Sequence, residues 1–405
     1  MPDFGAKLMS AEFLSDPYPA LNLLRHDEPV FWSHAWNAWL VSRYDDCVAG
    51  MRDYKDYSNV GRRQVVFDQL PPDTRAKVEP LSRHFSGGMG NVDPPDHTRL
   101  RKLVSKAFTP PAVSAWRERV EERVGQLLDQ MDKDRCELIH QFAFPLPATT
   151  ISELLGLPLK DIDRLKTWSD EFTSFMGTGT VEPRAVETSL DAYVAARAWL
   201  LGIIDEHKRT QPADLITSLL TVGDDGDSLD DEEVVAMCFL LMVGGHQTTT
   251  NLIGNTTLLL LQNPEQMRRL REEPTLIRST IEESLRFEAP FQQGWRVSSV
   301  DIELHGRQVH QGQMLRFMIG AANRDPDQFD QPDRFDIARS SNKHLTFGTG
   351  IHACLGAPLA RLEAEIALSH LINRFPRISL TDPRPDWNPD RISRGLRSLP
   401  LQLGH

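Results

Sequence analysis

The sequence predicts a mainly α-helical fold with small β-sheets, and three observations carry that expectation. Apolar residues recur at three- and four-residue intervals through most of 98–207. A long apolar segment spans 234–261. Period-two alternation is confined to a short region near the N-terminus and a second one between 292 and 317.

Taken in order, the runs Pro29-Val-Phe-Trp-Ser and Ala38-Trp-Leu-Val-Ser-Arg-Tyr are aromatic and β-branched, and read as two paired strands. Helices are predicted over 98–108, 110–131, 144–155, 159–175 and 186–207. The segment 234–261 carries Gly244, Gly245, His246, Gln247, a run of threonines, Asn251 and Asn255 in its middle. A membrane span of about 20 apolar residues does not hold that many polar groups cheaply, so a buried central helix is the better reading. Alternation returns in Arg296-Val-Ser-Ser-Val-Asp-Ile-Glu-Leu and Gln313-Met-Leu-Arg-Phe-Met-Ile, with Gly306 and Gly312 at turns. Over 355–375, Leu355, Leu359, Leu362, Ile366 and Leu371 make the stripe of a last helix.

No repeat, low-complexity tract or long linker divides the 405 residues, so one domain over 1–405 is expected. With 40% hydrophobic and 25% charged residues the chain has an ordinary globular composition rather than a disordered one. A net charge of −12 argues against nucleic acid as a partner. The first residues lack a basic flank followed by an apolar run, so neither a secretory signal nor a membrane anchor is expected. Cys47, Cys136, Cys238 and Cys354 show no paired spacing, which disfavours a disulfide framework or a zinc site and fits a reducing cytoplasm.

The chemistry concentrates in Phe347-Gly-Thr-Gly-Ile-His-Ala-Cys-Leu-Gly356, a glycine-bearing loop that delivers a cysteine directly to a helix start. Unpaired N–H groups there lower a thiol's pKa and can donate to its sulfur. A lone cysteine is more often a buried structural residue, but the string resembles the haem-binding loop of the cytochrome P450 family at Phe347, Gly350, His352, Cys354 and Gly356. Further stretches carry the same resemblance. Glu283-Ser-Leu-Arg286, Ala321-Ala-Asn-Arg-Asp-Pro326 and Pro332-Asp-Arg-Phe-Asp336 follow the family's order, and Asp93-Pro-Pro-Asp-His97-Thr-Arg-Leu-Arg101 is similar to its helix C.

The resemblance implies a single-domain cytochrome P450 fold, with haem b held between a long central helix and the helix after the cysteine loop. It implies Cys354 as the iron ligand and His97, Arg101, Arg296 and His352 as partners of the propionates. It also implies a buried network of Glu283 and Arg286 with an arginine such as Arg334. Within Leu240-Leu-Met-Val-Gly-Gly-His-Gln-Thr-Thr-Thr-Asn251, Gly244 and Gly245 would leave room for dioxygen, Thr248 would handle it, and Thr249 follows as in many relatives. The chain departs from the family before Thr248: Gln247 stands where Asp or Glu is usual, and a carboxamide cannot exchange protons as a carboxyl does. Water ordered by Thr248, a substituting His246, and a chemistry with another proton demand all stay open.

A monooxygenase that hydroxylates or epoxidises a small organic substrate is the activity implied. A peroxide-driven or coupling haem-thiolate enzyme is the alternative that Gln247 suggests, and a non-catalytic haem sensor stands behind it. Electrons would come from a separate ferredoxin and ferredoxin reductase, or a flavodoxin, to a monomer. Arg99, Lys102, Lys106, Lys343 and Arg361 are candidates for a basic docking face. The substrate pocket is expected to draw on a loop at 80–91, on Val243, Gly244 and Gly245, on Phe291, Gln292 and Gln293, and on the turn Ser393-Arg-Gly-Leu396. The glutamines point to an amphipathic substrate with a hydrogen-bonding group.

Overall fold

A computed structural model describes residues 4–132, 134–173, 183–221 and 226–404. The expected helical body is present. Asp96–Ser105, Pro145–Leu155 and Ile162–Thr173 are helices, and Pro183–Thr210 extends beyond both ends of its predicted span. Positions 174 and 175 of the expected 159–175 helix lie outside the described residues. The helix expected over 110–131 is two pieces, Pro110–Ser114 and Arg117–Gln130, because the chain turns at Ala115 and Trp116. The region 80–91, expected as a loop, is mostly the helix Glu79–Gly87 followed by a short 3-10 turn at Met89–Asn91.

At the centre runs Asp231–Gln262, an uninterrupted helix. Its start is fixed by a capping box in which the Asp230 carboxylate accepts from the Glu233 N–H and the Glu233 carboxylate accepts from the Asp230 N–H. Beyond that first turn it is buried on nearly every side, which accounts for its lack of an amphipathic stripe. It packs on Pro145–Leu155, on Ile277–Phe287 and on Ala357–Arg374, the helix that follows Cys354. No helix among the described residues is long and apolar enough to cross a membrane.

Both expected sheet regions contribute to one five-stranded sheet, in the order Val30–Ser33, Ala38–Val41, Met314–Met318, Gln293–Ser298, Tyr57–Ser58, while Ile302–Leu304 and Arg307–Val309 pair as a separate hairpin. The first two strands pair antiparallel, as the sequence suggested, and Ala38–Val41 runs parallel to Met314–Met318. Gly306 and Gly312 adopt φ of +72° and +84°, the left-handed turn conformation that glycine enters without a steric penalty. A three-stranded sheet of Arg135–Glu137, Pro400–Gly404 and Arg377–Leu380 closes the far end of the molecule.

Candidate haem-thiolate site

One cavity of about 520 Å³ collects residues from many parts of the chain, among them the helices Glu79–Gly87 and Asp96–Ser105, the central helix, the strand Gln293–Ser298 and the cysteine loop. Cys354, His97, Arg101, Arg296 and His352 all line it, as do Phe347, Gly356, Val243, Gly244, Gly245, Gln247, Thr248, Thr249, Phe291 and Gln293.

The cysteine loop is held by its own backbone and by the network behind it. The Cys354 N–H donates to the Phe347 carbonyl at 2.7 Å, and the Gly348 N–H to the Leu345 carbonyl at 2.7 Å. Gly350 sits at φ +75° with the Met51 carbonyl and the Arg52 Cα only 3.0 Å from where a Cβ would stand, so both conformation and space demand glycine. Arg101 reaches across and donates to the Ala353 carbonyl at 2.7 Å. Cys354 has free surface because it opens on to the cavity, while protein encloses it elsewhere. Burial pushes its thiol above the usual range, opposed by the N–H groups of Gly356 and Ala357 and by the charges of Arg101 and Arg361. The helix start therefore acts in the expected direction but does not outweigh desolvation in the protein alone.

Among the buried nitrogens around this cavity that have no hydrogen-bond partner are His97 Nε2, His352 Nε2 and Arg296 Nε. The two imidazoles lie 4.1 Å apart, and His352 Nε2 is 3.6 Å from Asp93 Oδ1, too far for a hydrogen bond. Burial, then the neighbouring His352 and Arg101, drives His97 down to about 4. Buried donors that lack acceptors are costly, and a carboxylate-bearing ligand placed among them removes the deficit. Together with an accessible cysteine sulfur, they fit the propionates and iron of haem. No cluster of three or more His, Cys, Asp or Glu that could hold a bare metal ion is present among the described residues.

Glu283 and Arg286 are fully buried and joined by two 2.8 Å hydrogen bonds. Arg286 also donates to the carbonyls of Asn323 and Pro332 at 2.9 and 2.8 Å. The third member of the network is not the Arg334 side chain. Arg334 offers only its carbonyl, accepting from Arg286 at 3.2 Å, while its guanidinium points outward to Gln331. Arg339 supplies the cation instead, with Nε 3.0 Å from Glu283 Oε2. Asn323 carries the order onward, donating to Thr346 Oγ1 at 2.9 Å and accepting from the Leu345 N–H at 2.7 Å, immediately before Phe347.

On the central helix, Thr248 Oγ1 donates to the Gly244 carbonyl at 2.7 Å. A Cβ on Gly244 would meet nothing within 4 Å, whereas one on Gly245 would sit 2.9 Å from Ile151, so Gly245 is a packing glycine. His246 is no substitute proton carrier. It is buried away from the cavity, with Nδ1 2.6 Å from the Met242 carbonyl and its ring edge-on to Phe144.

Two pocket expectations are corrected. Gln292 does not line the cavity; its amide donates to the Ala289 carbonyl at 2.8 Å. Gln293 lines it, but its amide is engaged on both sides, donating to the Arg391 carbonyl and accepting from Arg316. Leu396 is buried in the core beside Gly254, and from that turn Ile392 and Ser393 face the cavity instead.

Sequence reasoning missed Glu363. It lines the cavity from the helix after the cysteine, is 2% exposed, and has an oxygen without a partner. Burial pushes its carboxyl up to about 8 against a single opposing hydrogen bond with Thr150. The available signal was its place on the apolar stripe, four residues after Leu359 and three before Ile366.

The sequence pattern of the family described as Cytochrome P450 matches residues 198–402. The chain is 41% identical to Cytochrome P450 107B1 of Saccharopolyspora erythraea, across 91% of this chain and 90% of the relative. It is 36% identical to the 6-deoxyerythronolide B hydroxylase of the same organism, across 98% of each. The crystal structure of P450BioI in complex with hexadec-9Z-enoic acid ligated acyl carrier protein superposes with a TM-score of 0.90 at 38% identity, covering 97% of this chain and all of that one.

Proposed function

Because the chain belongs to the cytochrome P450 family, we propose that it inserts oxygen from O2 into a small amphipathic organic molecule, by hydroxylation or epoxidation, with Cys354 as the iron ligand. It is an oxidoreductase of the monooxygenase type, and its cofactor is haem b. The observation that carries the site assignment is the set of partnerless nitrogens, His97 Nε2, His352 Nε2 and Arg296 Nε, on the same cavity as the Cys354 sulfur.

When bound, thiolate-ligated haem supplies the oxidising chemistry, and the chain's own residues position and protonate. His97, Arg101, Arg296 and His352 would hold the propionates, and Phe347, Gly350 and Gly356 shape the cysteine loop. Thr248 would order water in the cavity through the hydroxyl that it shares with the Gly244 carbonyl. Gln247 orients that water without exchanging protons. Glu363, kept protonated near neutral pH by burial, is a carboxyl on the wall of the same cavity and our candidate for the proton reservoir.

Electrons come from a separate ferredoxin or flavodoxin, as is typical of the family. Of the five candidate docking cations, Arg99 is tied to Asp227 and Glu233, and Arg361 to Glu282, so they present less free charge than the sequence suggests. Hydroxylation by a named relative and the acyl chain seen in a structural neighbour both support an apolar-bodied substrate.

The test is the reduced carbonyl spectrum of the native protein beside Cys354→Ala. A strongly red-shifted Soret band that disappears in the variant is expected, and a histidine-type carbonyl spectrum in the native protein overturns the assignment. Peroxide-driven turnover is the second reading, favoured by Gln247 on the cavity wall. Hydrogen peroxide supporting turnover at least as fast as a reductase would select it.

A further inference from the structure

We propose that Arg63 and Trp295, backed by Arg316 behind the indole, form an anion-recognition subsite on the wall of this cavity, and that the substrate is an amphipathic carboxylic acid. The proposal rests on the haem-thiolate reading for the identity of the cavity, but on a separate set of residues.

Arg63 lies on the helix Arg62–Phe67, and its guanidinium carbon stands 5.1 Å from the ring centre of Phe85 and 4.8 Å from that of Trp295. Its Nε and Nη1 are buried and have no hydrogen-bond partner. Trp295 pairs across the sheet with Arg316, whose guanidinium carbon is 4.7 Å from the opposing indole ring. Arg316 gives Nη1 to Gln293 at 3.2 Å, but its Nε is partnerless, and so is Trp295 Nε1. Four donor nitrogens on these three residues thus lack an acceptor, three of them on residues that line the cavity.

The charge balance is equally one-sided. Burial lowers Arg63 to about 10 and Arg316 to about 9, so both are cationic at neutral pH, and each feels no carboxylate strongly enough to offset it. Two other buried arginines are better satisfied: Arg62 donates to Asn91 and Gly90, and Arg286 is locked to Glu283. Uncompensated buried charge of this kind is expensive unless a counter-ion completes it.

The haem propionates have other expected partners: on this strand it is Arg296, whose side chain leaves the strand on the face opposite to that of Trp295 and its cross-strand neighbour Arg316. Arg63 and Trp295 both line the cavity, as do Phe85, Phe172, Phe239 and Phe291. A planar guanidinium matches a carboxylate through paired hydrogen bonds, and the aromatic walls suit an apolar body. The two together select a molecule with an acidic end and a long apolar one.

The experiment compares dodecanoate, methyl dodecanoate and dodecan-1-ol on the holoenzyme, by the Soret spin-state shift and, independently, by isothermal titration calorimetry. The native protein should bind the acid about 10-fold or more tightly over the ester, the range of charge-assisted hydrogen bonds. Arg63→Met should erase that preference while leaving ester affinity unchanged, and Arg63→Lys should restore part of it. Equal binding of acid and ester by the native protein, no calorimetric binding of dodecanoate, or an equal loss for both ligands in Arg63→Met overturns the proposal. Should Arg63→Met not retain haem, Arg63→Gln is read against the same outcomes. Failure of the haem-thiolate reading shows separately, as an abnormal carbonyl spectrum with the calorimetric preference intact.

Discussion

Replacing Glu363 by glutamine should stabilise the protein increasingly as the pH rises. Its carboxyl is held up to about 8 in the folded chain, against an ordinary value of 4.5. A raised acid binds its proton more tightly folded than unfolded, so its stabilising contribution is complete below the unfolded value. That contribution declines as the pH climbs through the window from 4.5 to about 8 and levels off beyond it. Between pH 5.5 and 7.5 the unfolded carboxylate has lost its proton while the folded one mostly keeps it. At about 1.4 kcal/mol per pH unit, and allowing for partial ionisation at the upper end, the native protein should lose about 2–3 kcal/mol relative to Glu363→Gln. For 405 residues, at about 2.1 cal/mol/K of unfolding entropy each, that is a gap of about 3 °C in thermal midpoint. Glutamine preserves the shape and can keep the hydrogen bond with Thr150, and every other titrating group cancels in the difference. The assay is thermal denaturation by circular dichroism of both proteins at pH 5.5, 6.5 and 7.5 at constant ionic strength. A gap independent of pH, or one in which the variant loses ground at pH 7.5, would show that Glu363 is ionised in the native state and would refute both the stability argument and its role as a proton reservoir.

The arginine network makes a second prediction. Arg339→Ala removes a hydrogen bond to a fully buried carboxylate and should cost about 1.5–3 kcal/mol in thermal or denaturant unfolding, while Arg334→Ala, which keeps the carbonyl Arg286 uses, should stay within about 0.5 kcal/mol. Equal effects would mean the cation assignment is wrong. Gly350→Ala forces a Cβ against the backbone of Met51 and Arg52 at a left-handed φ, so a loss of about 1–2 kcal/mol or more is expected together with reduced haem content per chain. Unchanged haem stoichiometry, read from the Soret to protein absorbance ratio, would show that the loop yields without disturbing the site.

The helical body was legible because its signal is local: three- and four-residue spacing survives in any stretch long enough to bury a face. The break at Ala115 and Trp116 and the helix Glu79–Gly87 escaped because the first costs only a short turn and the second carries few apolar residues. The strands Arg135–Glu137 and Arg377–Leu380 are too short to show alternation and are assembled by Pro400–Gly404, a partner remote in sequence.

The same division explains the site. Cys354, His97 and Arg296 are set by motifs whose spacing carries their geometry, so the structure brings them to one cavity. Which arginine closes on Glu283 is decided by how the chain folds back from Pro332, and Arg334 and Arg339 are five residues apart on that same excursion. Gln292 and Gln293 are neighbours on opposite sides of extended backbone, so one registration of the strand decided which of them met the cavity. Arg63 is the extreme case. In sequence, Gly61-Arg-Arg-Gln64 belongs to none of the motifs, and only Phe85 and Trp295, arriving from two distant segments, enclose one of its arginines, while the other donates to Asn91. Charges that tertiary structure buries without a partner leave no trace in local pattern, which is why the residues that fix the shared chemistry could be read from the chain and those that select the substrate could not.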